Sequence, residues 1–330
     1  MKKISIVIAL LMVLMMSLSG CGPSDTGGQE ETPQTPVNVN IFGLKGPTSI
    51  GMIKLISEKS LNDDKYNVTY SVVDAPDILT GKIITGEAHI AALPTNTASI
   101  LYNKMKGDIQ FLATNTLGVL SIVGTDNINS IQDLKGKTII SSGNGAVPQY
   151  ALDYILQQNG LQDSVKVEYM PDHATVAQMV LAGDAKIALL PEPFVTQVTM
   201  KDPNVKVLLD VTDEWNTAAD NKSVLSMGCL VVNKAFAEAN PDFIADFMNL
   251  YEMSVRFVND NHAEAGQLVA EAGIIENAAL VEKAIPGCNI VYKDAEDSKA
   301  EINGFLKVLY DFNGDSVGGT LPDDNFYYKK

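Results

Sequence analysis

The sequence predicts an α/β fold built from two similar lobes, and two observations carry this prediction. Strand-like and helix-like segments alternate in two series, over residues 37–113 and 137–210. The segment GEAHIAALP at residues 86–94 returns as GDAKIALLP at residues 183–191, with six of nine positions identical. We therefore expect one helix–turn–strand–turn–helix unit to be used once in each lobe. Hydrophobic residues make up 46% of the 330 residues, enough for a sizeable core.

The first series begins with an alternating apolar pattern and a loop rich in glycine, proline and threonine. Its predicted strands are residues 37–42, 66–73, 89–93 and 109–113. Its predicted helices are residues 50–59, 76–85 and 95–104. Thr48 or Ser49 is the expected N-cap of the first helix, and Thr95 or Asn96 that of the third, because such side chains accept hydrogen bonds from the first turn.

The second series repeats this alternation. Its predicted strands are residues 137–141, 165–169, 187–190 and 205–210. Its predicted helices are residues 148–158, 175–182 and one opened by Pro193, and Pro148 and Gly160 fit the start and end of the first of these. Strands that alternate with helices of this length predict largely parallel sheets.

Two apolar, glycine-containing segments flank the second series, at residues 117–124 and 224–232. They are predicted to be the two chain crossings of a hinge between the lobes. The remainder, from residue 234, reads as mainly helical. Within residues 241–258 the helical spacing predicts buried Phe243, Ile244, Phe247, Met248 and Tyr251.

The N-terminus has the pattern of an export signal. Two lysines precede an apolar run over residues 4–18, which is shorter than the roughly 20 residues of a membrane-spanning helix. The following Leu18-Ser-Gly-Cys21 resembles a bacterial lipobox, which implies a signal peptide over residues 1–20, acylation of Cys21 and a lipid anchor outside the cytoplasm. An ordinary secretory signal with an incidental cysteine is the alternative. Residues 21–36 lack apolar side chains able to form a core and are predicted to be a disordered tether.

Composition excludes several classes of function. The net charge is −16 and Arg256 is the one arginine, which argues against nucleic-acid binding. The three histidines have no metal-ligand spacing and no CxxC motif occurs, so we expect neither a metal nor another cofactor. Cys229 and Cys288 are interpreted either as a disulfide or as two buried free thiols.

The expected ligand site lies beyond the carboxyl ends of the strands, where helix N-termini offer free N–H groups. Four loops meet this condition, residues 46–49 and 94–96 in one lobe and 142–145 and 191–192 in the other. The candidate ligand-binding residues are Phe42, Gly46, Pro47, Thr48, Thr95, Asn96, Asn115, Thr116, Ser142, Asn144, Gly145 and Glu192. The alternatives are N-capping for the threonine, serine and asparagine residues of these loops, core packing for Phe42 and a helix-start carboxylate for Glu192. Trp215 is a further ring that could stack on a planar solute.

Several motifs together resemble a known family. The lipobox, the Gly46-Pro-Thr48 loop, Asp133-Leu-Lys-Gly-Lys-Thr138 and Pro191-Glu-Pro-Phe194 are similar to those of ABC-importer solute-binding proteins, in particular the nitrate, sulfonate, taurine and thiamine-pyrimidine-precursor branch. The resemblance spans residues 37–258. It implies a type II periplasmic-binding-protein fold of two Rossmann-like lobes with a two-crossing hinge.

The two predicted chain crossings give the domain boundaries, and the resemblance implies the partners. Residues 37–120 with 230–330 would form one lobe and residues 121–229 the other. The protein would be a monomer that clamps a small solute between the lobes and docks on a membrane permease.

Three classes of function are compatible with this sequence. The first is an extracytoplasmic solute-binding lipoprotein of an ABC importer, for a planar nitrogenous or zwitterionic solute such as a thiamine pyrimidine precursor or, alternatively, for a sulfonate-, nitrate- or taurine-type anion. The second is a ligand-binding component of a sensor. The third is an enzyme similar to pyrimidine-precursor synthases, which is disfavoured because clustered Cys and His, paired catalytic carboxylates and a Gly-x-Ser-x-Gly motif are all missing from the sequence. We therefore expect a binding protein and not an enzyme.

Overall fold

Eleven strands form two sheets in the computed structural model, which describes residues 35–73 and 76–330. In chain order the strands are β1 (Val37–Leu44), β2 (Tyr66–Val73), β3 (Ile90–Leu93), β4 (Ile109–Leu117), β5 (Leu120–Gly124), β6 (Thr138–Ser141), β7 (Lys166–Tyr169), β8 (Ile187–Pro191), β9 (Lys206–Asp210), β10 (Ser226–Asn233) and β11 (Ile290–Asp294). The larger sheet has the strand order β11-β4-β10-β3-β1-β2, and the smaller sheet has the order β7-β6-β8-β5-β9. The chain thus passes from the larger sheet to the smaller between β4 and β5 and returns before β10.

Helices connect these strands. They are α1 (Pro47–Ile50), α2 (Ile53–Glu58), α3 (Pro76–Ile84), α4 (Thr95–Lys104), α5 (Val147–Gln158), α6 (His173–Ala182), α7 (Phe194–Lys201), α8 (Val211–Ala218), α9 (Lys234–Ala239), α10 (Pro241–Asp260), α11 (His262–Glu271), α12 (Ala278–Ala284) and α13 (Ala295–Phe312). None of the helices in the described part of the chain combines the length and apolar character needed to cross a membrane.

The two sheets are mixed, which corrects the expectation of largely parallel sheets. Strands β1 to β3 pair in parallel, as do β6, β7 and β8. By contrast, β10 pairs antiparallel with both β3 and β4, and β5 pairs antiparallel with both β8 and β9. The predicted crossing segments therefore correspond to β5 and β10. Each of these strands lies in the interior of its sheet and runs antiparallel to both of its neighbours.

The two copies of the repeated motif have the same element order in different sheets. The first copy joins α3, β3 and α4 in the larger sheet, and the second joins α6, β8 and α7 in the smaller sheet. In both copies a glycine with positive φ follows the first helix, Gly86 at 74° and Gly183 at 81°. A side chain with a Cβ rarely adopts that conformation, so both turns require glycine.

Three further sequence expectations need correction. The helix predicted over residues 50–59 is two short helices, α1 and α2, interrupted at Gly51-Met52. Strand β11 was not predicted, and it pairs antiparallel with the edge of β4. Cys229 and Cys288 are both buried and free, so the disulfide interpretation does not hold in this structure.

Apolar side chains on both faces of the larger sheet form the core. The predicted face of α10 is buried as expected, with Phe243, Ile244, Phe247, Met248 and Tyr251 at most 3% exposed. On the opposite face, Trp215 of α8 lies 5.8 Å from Phe305 of α13, measured between ring centroids. This contact joins a helix that follows the smaller sheet to one that covers the larger sheet.

Residues 36–330 form a single compact unit when the chain is divided by its contacts between Cα atoms. The lobe boundaries at residues 120, 121, 229 and 230 therefore stay predictions. The predicted signal peptide, Cys21 and all but the last two residues of the predicted tether lie outside the described residues.

Candidate functional site

The predicted site residues lie where strands end and helices begin. In the larger sheet these corners follow β1 and β3, before α1 and α4, and β4 ends nearby at Leu117. In the smaller sheet they follow β6, β7 and β8, before α5, α6 and α7. Ligands of open α/β sheets bind at this edge because helix N-termini and loop side chains converge there.

Four of the five helices that begin at these corners, α1, α4, α5 and α7, have no hydrogen bond from the side chain of their N-cap residue, although Glu192 bonds the first turn of α7 from the position before its N-cap. The N-cap residues of α1, α4 and α5 are Gly46, Pro94 and Ala146, and none makes a side-chain capping bond. The expected capping by Thr48 or Ser49, and by Thr95 or Asn96, is therefore wrong. N-capping is therefore removed as an alternative role for these residues, and the Ser49, Thr95 and Asn96 side chains make other hydrogen bonds.

Five helices are capped in the usual way, whereas α2, α10 and α11 also have no side-chain bond from the N-cap residue. A side-chain oxygen accepts a hydrogen bond from the first turn of α6, α8, α9, α12 and α13, and the capping residues are Asp172, Asp210, Asn233, Asn277 and Asp294. The first turns of α4 and α5 therefore have backbone N–H groups without a side-chain acceptor. Such a helix start carries partial positive charge and suits an anionic group.

Thr48, Asn115 and Thr116 come together at one corner. The Asn115 amide donates to the Thr48 carbonyl oxygen at 3.1 Å, and the Thr116 hydroxyl donates to Asn115 Oδ1 at 3.0 Å. Asn115 and Thr116 are each 1% exposed, so this network is shielded from water. Gly228 of β10 lies directly against it, since a Cβ at that position would be 2.6 Å from Thr48 Cγ2.

The other larger-sheet candidates are held by distant parts of the chain. The Thr95 and Ser226 hydroxyl oxygens are 2.8 Å apart. The Asn96 amide donates to the Ser316 carbonyl oxygen at 3.2 Å. Phe42 is 5% exposed and packs in the core, with Lys82 Nζ 5.0 Å from its ring centroid. Gly46, which precedes Pro47 at the start of α1, has a φ of 122°, and a Cβ added to it would have no atom within 4 Å.

Ser142 is joined to a residue that the sequence did not single out. Its hydroxyl is hydrogen-bonded to Nδ1 of His173, the first residue of α6, and the His173 ring lies 5.7 Å from the Phe194 ring. Burial lowers the pKa of His173 below the ordinary value. The sequence signal for His173 was its place at the start of the helix that follows β7, which is the strand-to-helix position used to select the other candidates. Asn144 is exposed, and the Gly145 N–H donates to Gln149 Oε1 at 2.7 Å.

Glu192 turns towards its own helix. Its Oε2 accepts from the Thr196 backbone N–H at 3.1 Å and its Oε1 accepts from the Thr196 hydroxyl at 3.0 Å. Burial raises the pKa of the carboxyl group, against the effect of the Thr196 hydrogen bonds. The side chain also lies against Gly287, where a Cβ would be 2.7 Å from Oε1. This geometry matches the helix-start alternative for Glu192, and a ligand contact through its remaining lone pairs stays a prediction.

Comparison with known proteins gives a family match for the central part of the chain. A family model described as NMT1/THI5 like matches residues 103–265. No curated protein matches the chain.

Solved structures share the fold over nearly the whole chain. An ABC transporter structure from Parabacteroides distasonis is 26% identical with a TM-score of 0.76, covering 90% of this chain and 100% of that one. The periplasmic aliphatic sulphonate binding protein SsuA of Escherichia coli is 15% identical with a TM-score of 0.72, covering 89% and 92%. The alkanesulfonate-binding protein SsuA of Xanthomonas axonopodis pv. citri, bound to MOPS, is 15% identical with a TM-score of 0.63, covering 88% and 96%.

These comparisons confirm the predicted α/β fold class and the predicted resemblance. The protein has the mixed, two-sheet fold of periplasmic binding proteins. The NMT1/THI5-like region contains all three corners of the smaller sheet, together with Asn115 and Thr116 at the end of β4. Thr48 and Thr95 precede that region.

Proposed function

We propose that this protein is the extracytoplasmic solute-binding component of an ABC importer and that it holds a small solute between two lobes. The uncapped starts of α4 and α5, which follow strands of different sheets, are the observation that carries the proposal. Two such starts offer hydrogen-bond donors to one solute from both sides. The role is binding and not catalysis, and the similar structures are named as transport or binding proteins.

The solute we favour is zwitterionic or nitrogenous, with a simple sulfonate or nitrate as the alternative. An acidic group of the solute would accept from the helix starts of α4 and α5. A nitrogen group would donate to Glu192, whose carboxylate oxygens each accept one hydrogen bond and have a further lone pair. An aminosulfonate such as taurine combines both features, whereas an aminopyrimidine provides the nitrogen alone.

Four probes test the proposal directly. Taurine, ethanesulfonate, nitrate and 4-aminopyrimidine are titrated into the purified protein by calorimetry, and native mass spectrometry records any solute that co-purifies. Taurine and ethanesulfonate differ only by an ammonium group, so their difference isolates the nitrogen contact. A protein that carries no solute and binds none of the four contradicts the proposal.

Glu192→Gln tests the nitrogen contact. A hydrogen bond to a charged group is worth roughly 1.5–3 kcal/mol, so we expect taurine to bind about tenfold or more weakly to the variant. Ethanesulfonate is expected to bind more tightly, because the variant removes a nearby negative charge from an anion site. Calorimetry with both probes measures whether the substitution changes the two affinities in opposite directions. Equal affinity of parent and variant for both probes would leave Glu192 as a helix-start residue alone.

Membrane attachment is proposed to depend on acylated Cys21, which lies outside the described residues. Cys21→Ser should move the protein from the membrane pellet to the soluble fraction almost completely, because acyl chains are the proposed anchor. Carbonate-washed membranes and immunoblotting measure the distribution, with Cys229→Ser as the matched control. Retention of the Cys21 variant in washed membranes would contradict the lipoprotein proposal. The proposed partner of the anchored protein is a membrane permease, which it would meet as a monomer.

A further inference from the structure

We propose that His173 is a ligand-contacting residue that donates a hydrogen bond from Nε2 to the acidic group of the solute and selects for anionic groups. This inference rests on the proposed function, because it assigns a role within the same site. It starts from the contacts that connect three consecutive corners of the smaller sheet.

His173 occupies the middle of these corners. Ser142, at the end of β6, is hydrogen-bonded to Nδ1, and Phe194, at the start of α7, packs against the ring at 5.7 Å. Ser142 is 1% exposed and His173 is half-buried, so the imidazole has an anchored side and an accessible side. The ring is thereby fixed at the edge of the sheet where the uncapped start of α5 also lies.

The hydrogen bond to Ser142 determines which nitrogen remains for a solute. Among the described residues, Nε2 has no hydrogen-bond partner, whereas Nδ1 has Ser142. In the neutral imidazole, a Ser142 hydroxyl that donates to Nδ1 leaves the proton on Nε2. In the cation both nitrogens donate, and the Ser142 hydroxyl rotates to accept. Nε2 is therefore a donor in both of these states, and a solute acceptor fits it.

The charged groups around His173 are few. Asp172 caps α6 next to it and favours the imidazolium, while Glu192 lies just before α7. The segment 142–158 that follows β6 has Tyr150, Asp153 and Tyr154 as its titratable side chains, and burial raises the pKa of the Asp153 carboxyl, which acts on Tyr169. The hydroxyl of Tyr169 at the end of β7 is buried without a hydrogen-bond partner in the described residues. Burial lowers the pKa of His173 and so favours the neutral imidazole in the empty protein, against the effect of Asp172.

Anion binding then couples to protonation of His173. An anion at Nε2 stabilises the imidazolium and raises the pKa of His173 in the complex above that in the empty protein. Binding therefore takes up a proton, and affinity rises as the pH falls through the pKa of the complex. Each unit of pKa difference is worth a tenfold change in affinity. We expect ethanesulfonate to bind about tenfold more tightly at pH 5.5 than at pH 8.

The experiment measures ethanesulfonate affinity at both pH values in a Glu192→Gln background, which removes the titration of Glu192. His173→Gln keeps an N–H donor near the Nε2 position but cannot become a cation, so its affinity should be nearly independent of pH. His173→Phe removes the donor and should weaken binding at least tenfold at both pH values. His89→Gln is the matched control, because His89 also has a bonded Nδ1, which accepts from the Asn40 N–H at 2.9 Å, but lies before β3, away from the site. It should keep the pH dependence.

The outcomes separate this inference from the proposed function. If ethanesulfonate binds and His173→Gln retains the full pH dependence, or His173→Phe binds normally, the role of His173 is overturned while the proposed function stands. If the parent and the Glu192→Gln protein bind neither ethanesulfonate nor taurine, the proposed anionic group and the role of His173 fall together. Circular dichroism verifies folding of each variant, and the polar His173→Gln variant gives the answer should His173→Phe fail to fold.

Discussion

Gly228→Ala is expected to weaken solute binding at least tenfold while the protein stays folded. The added Cβ would lie 2.5 Å from Asn115 Oδ1, 2.6 Å from Thr48 Cγ2 and 3.2 Å from Thr116 Cβ. Because β10 is held between β3 and β4, its backbone cannot retreat, and the Asn115 and Thr48 side chains must move instead. Overpacking of this kind typically costs 1–3 kcal/mol, and a binding site tolerates shifts of only about 0.5 Å.

Gly81→Ala is the matched control for this substitution. Gly81 lies within α3 and has nothing within 4 Å of an added Cβ. Alanine there should raise the free energy of unfolding by about 0.5–1 kcal/mol and leave solute affinity unchanged. Calorimetry with the probe that binds the parent, together with thermal unfolding, compares the two variants. Normal affinity of the Gly228 variant would mean that the Thr48–Asn115–Thr116 corner takes no part in binding.

Much of the fold could be predicted because its signals are local. In the first repeat copy, the turn glycine Gly86, the apolar strand before Pro94 and the following helix are adjacent in sequence. The helix predicted over residues 95–104 has the bounds observed for α4. Strand and helix periodicities act over a few residues, so one sequence suffices to recognise them.

The parts that could not be predicted depend on residues far apart in the chain. The pairing of β11 with β4 and the insertion of β10 between β3 and β4 join segments separated by more than 100 residues. No local pattern encodes which strands become neighbours, or whether they run parallel. The same limit hid Ser226 as the partner of Thr95 and Ser316 as that of Asn96.

Helix capping shows how long-range contacts override a local preference. Threonine and asparagine at a helix start usually cap it, and the sequence supported that role for Thr95 and Asn96. In the structure the N-cap of α4 is Pro94, and the Thr95 and Asn96 side chains bond instead to residues from the C-terminal half of the chain. His173 was missed for a related reason, because its connection to Ser142 appears only once β6 and β7 are paired.

Trp215→Ala is expected to lower the free energy of unfolding by about 3–5 kcal/mol, the cost of removing a fully buried Trp side chain. Trp215 is 0% exposed, with its ring 4.9 Å from that of Tyr154 and 5.8 Å from that of Phe305. The indole therefore connects α8 and α5 of the smaller sheet to α13 over the larger sheet, and it is not available to stack on a solute.

Trp215→Phe separates packing from ligand contact. The indole N–H is buried without a hydrogen-bond partner among the described residues, so phenylalanine removes an unsatisfied donor while it keeps most of the apolar volume. We expect this variant to lose much less stability than Trp215→Ala and to bind solute within about twofold of the parent. Urea unfolding followed by circular dichroism, with calorimetry for affinity, measures both quantities. A Trp215→Ala protein that unfolds like the parent but no longer binds solute would instead make Trp215 part of the site, since a core residue cannot be removed without loss of stability.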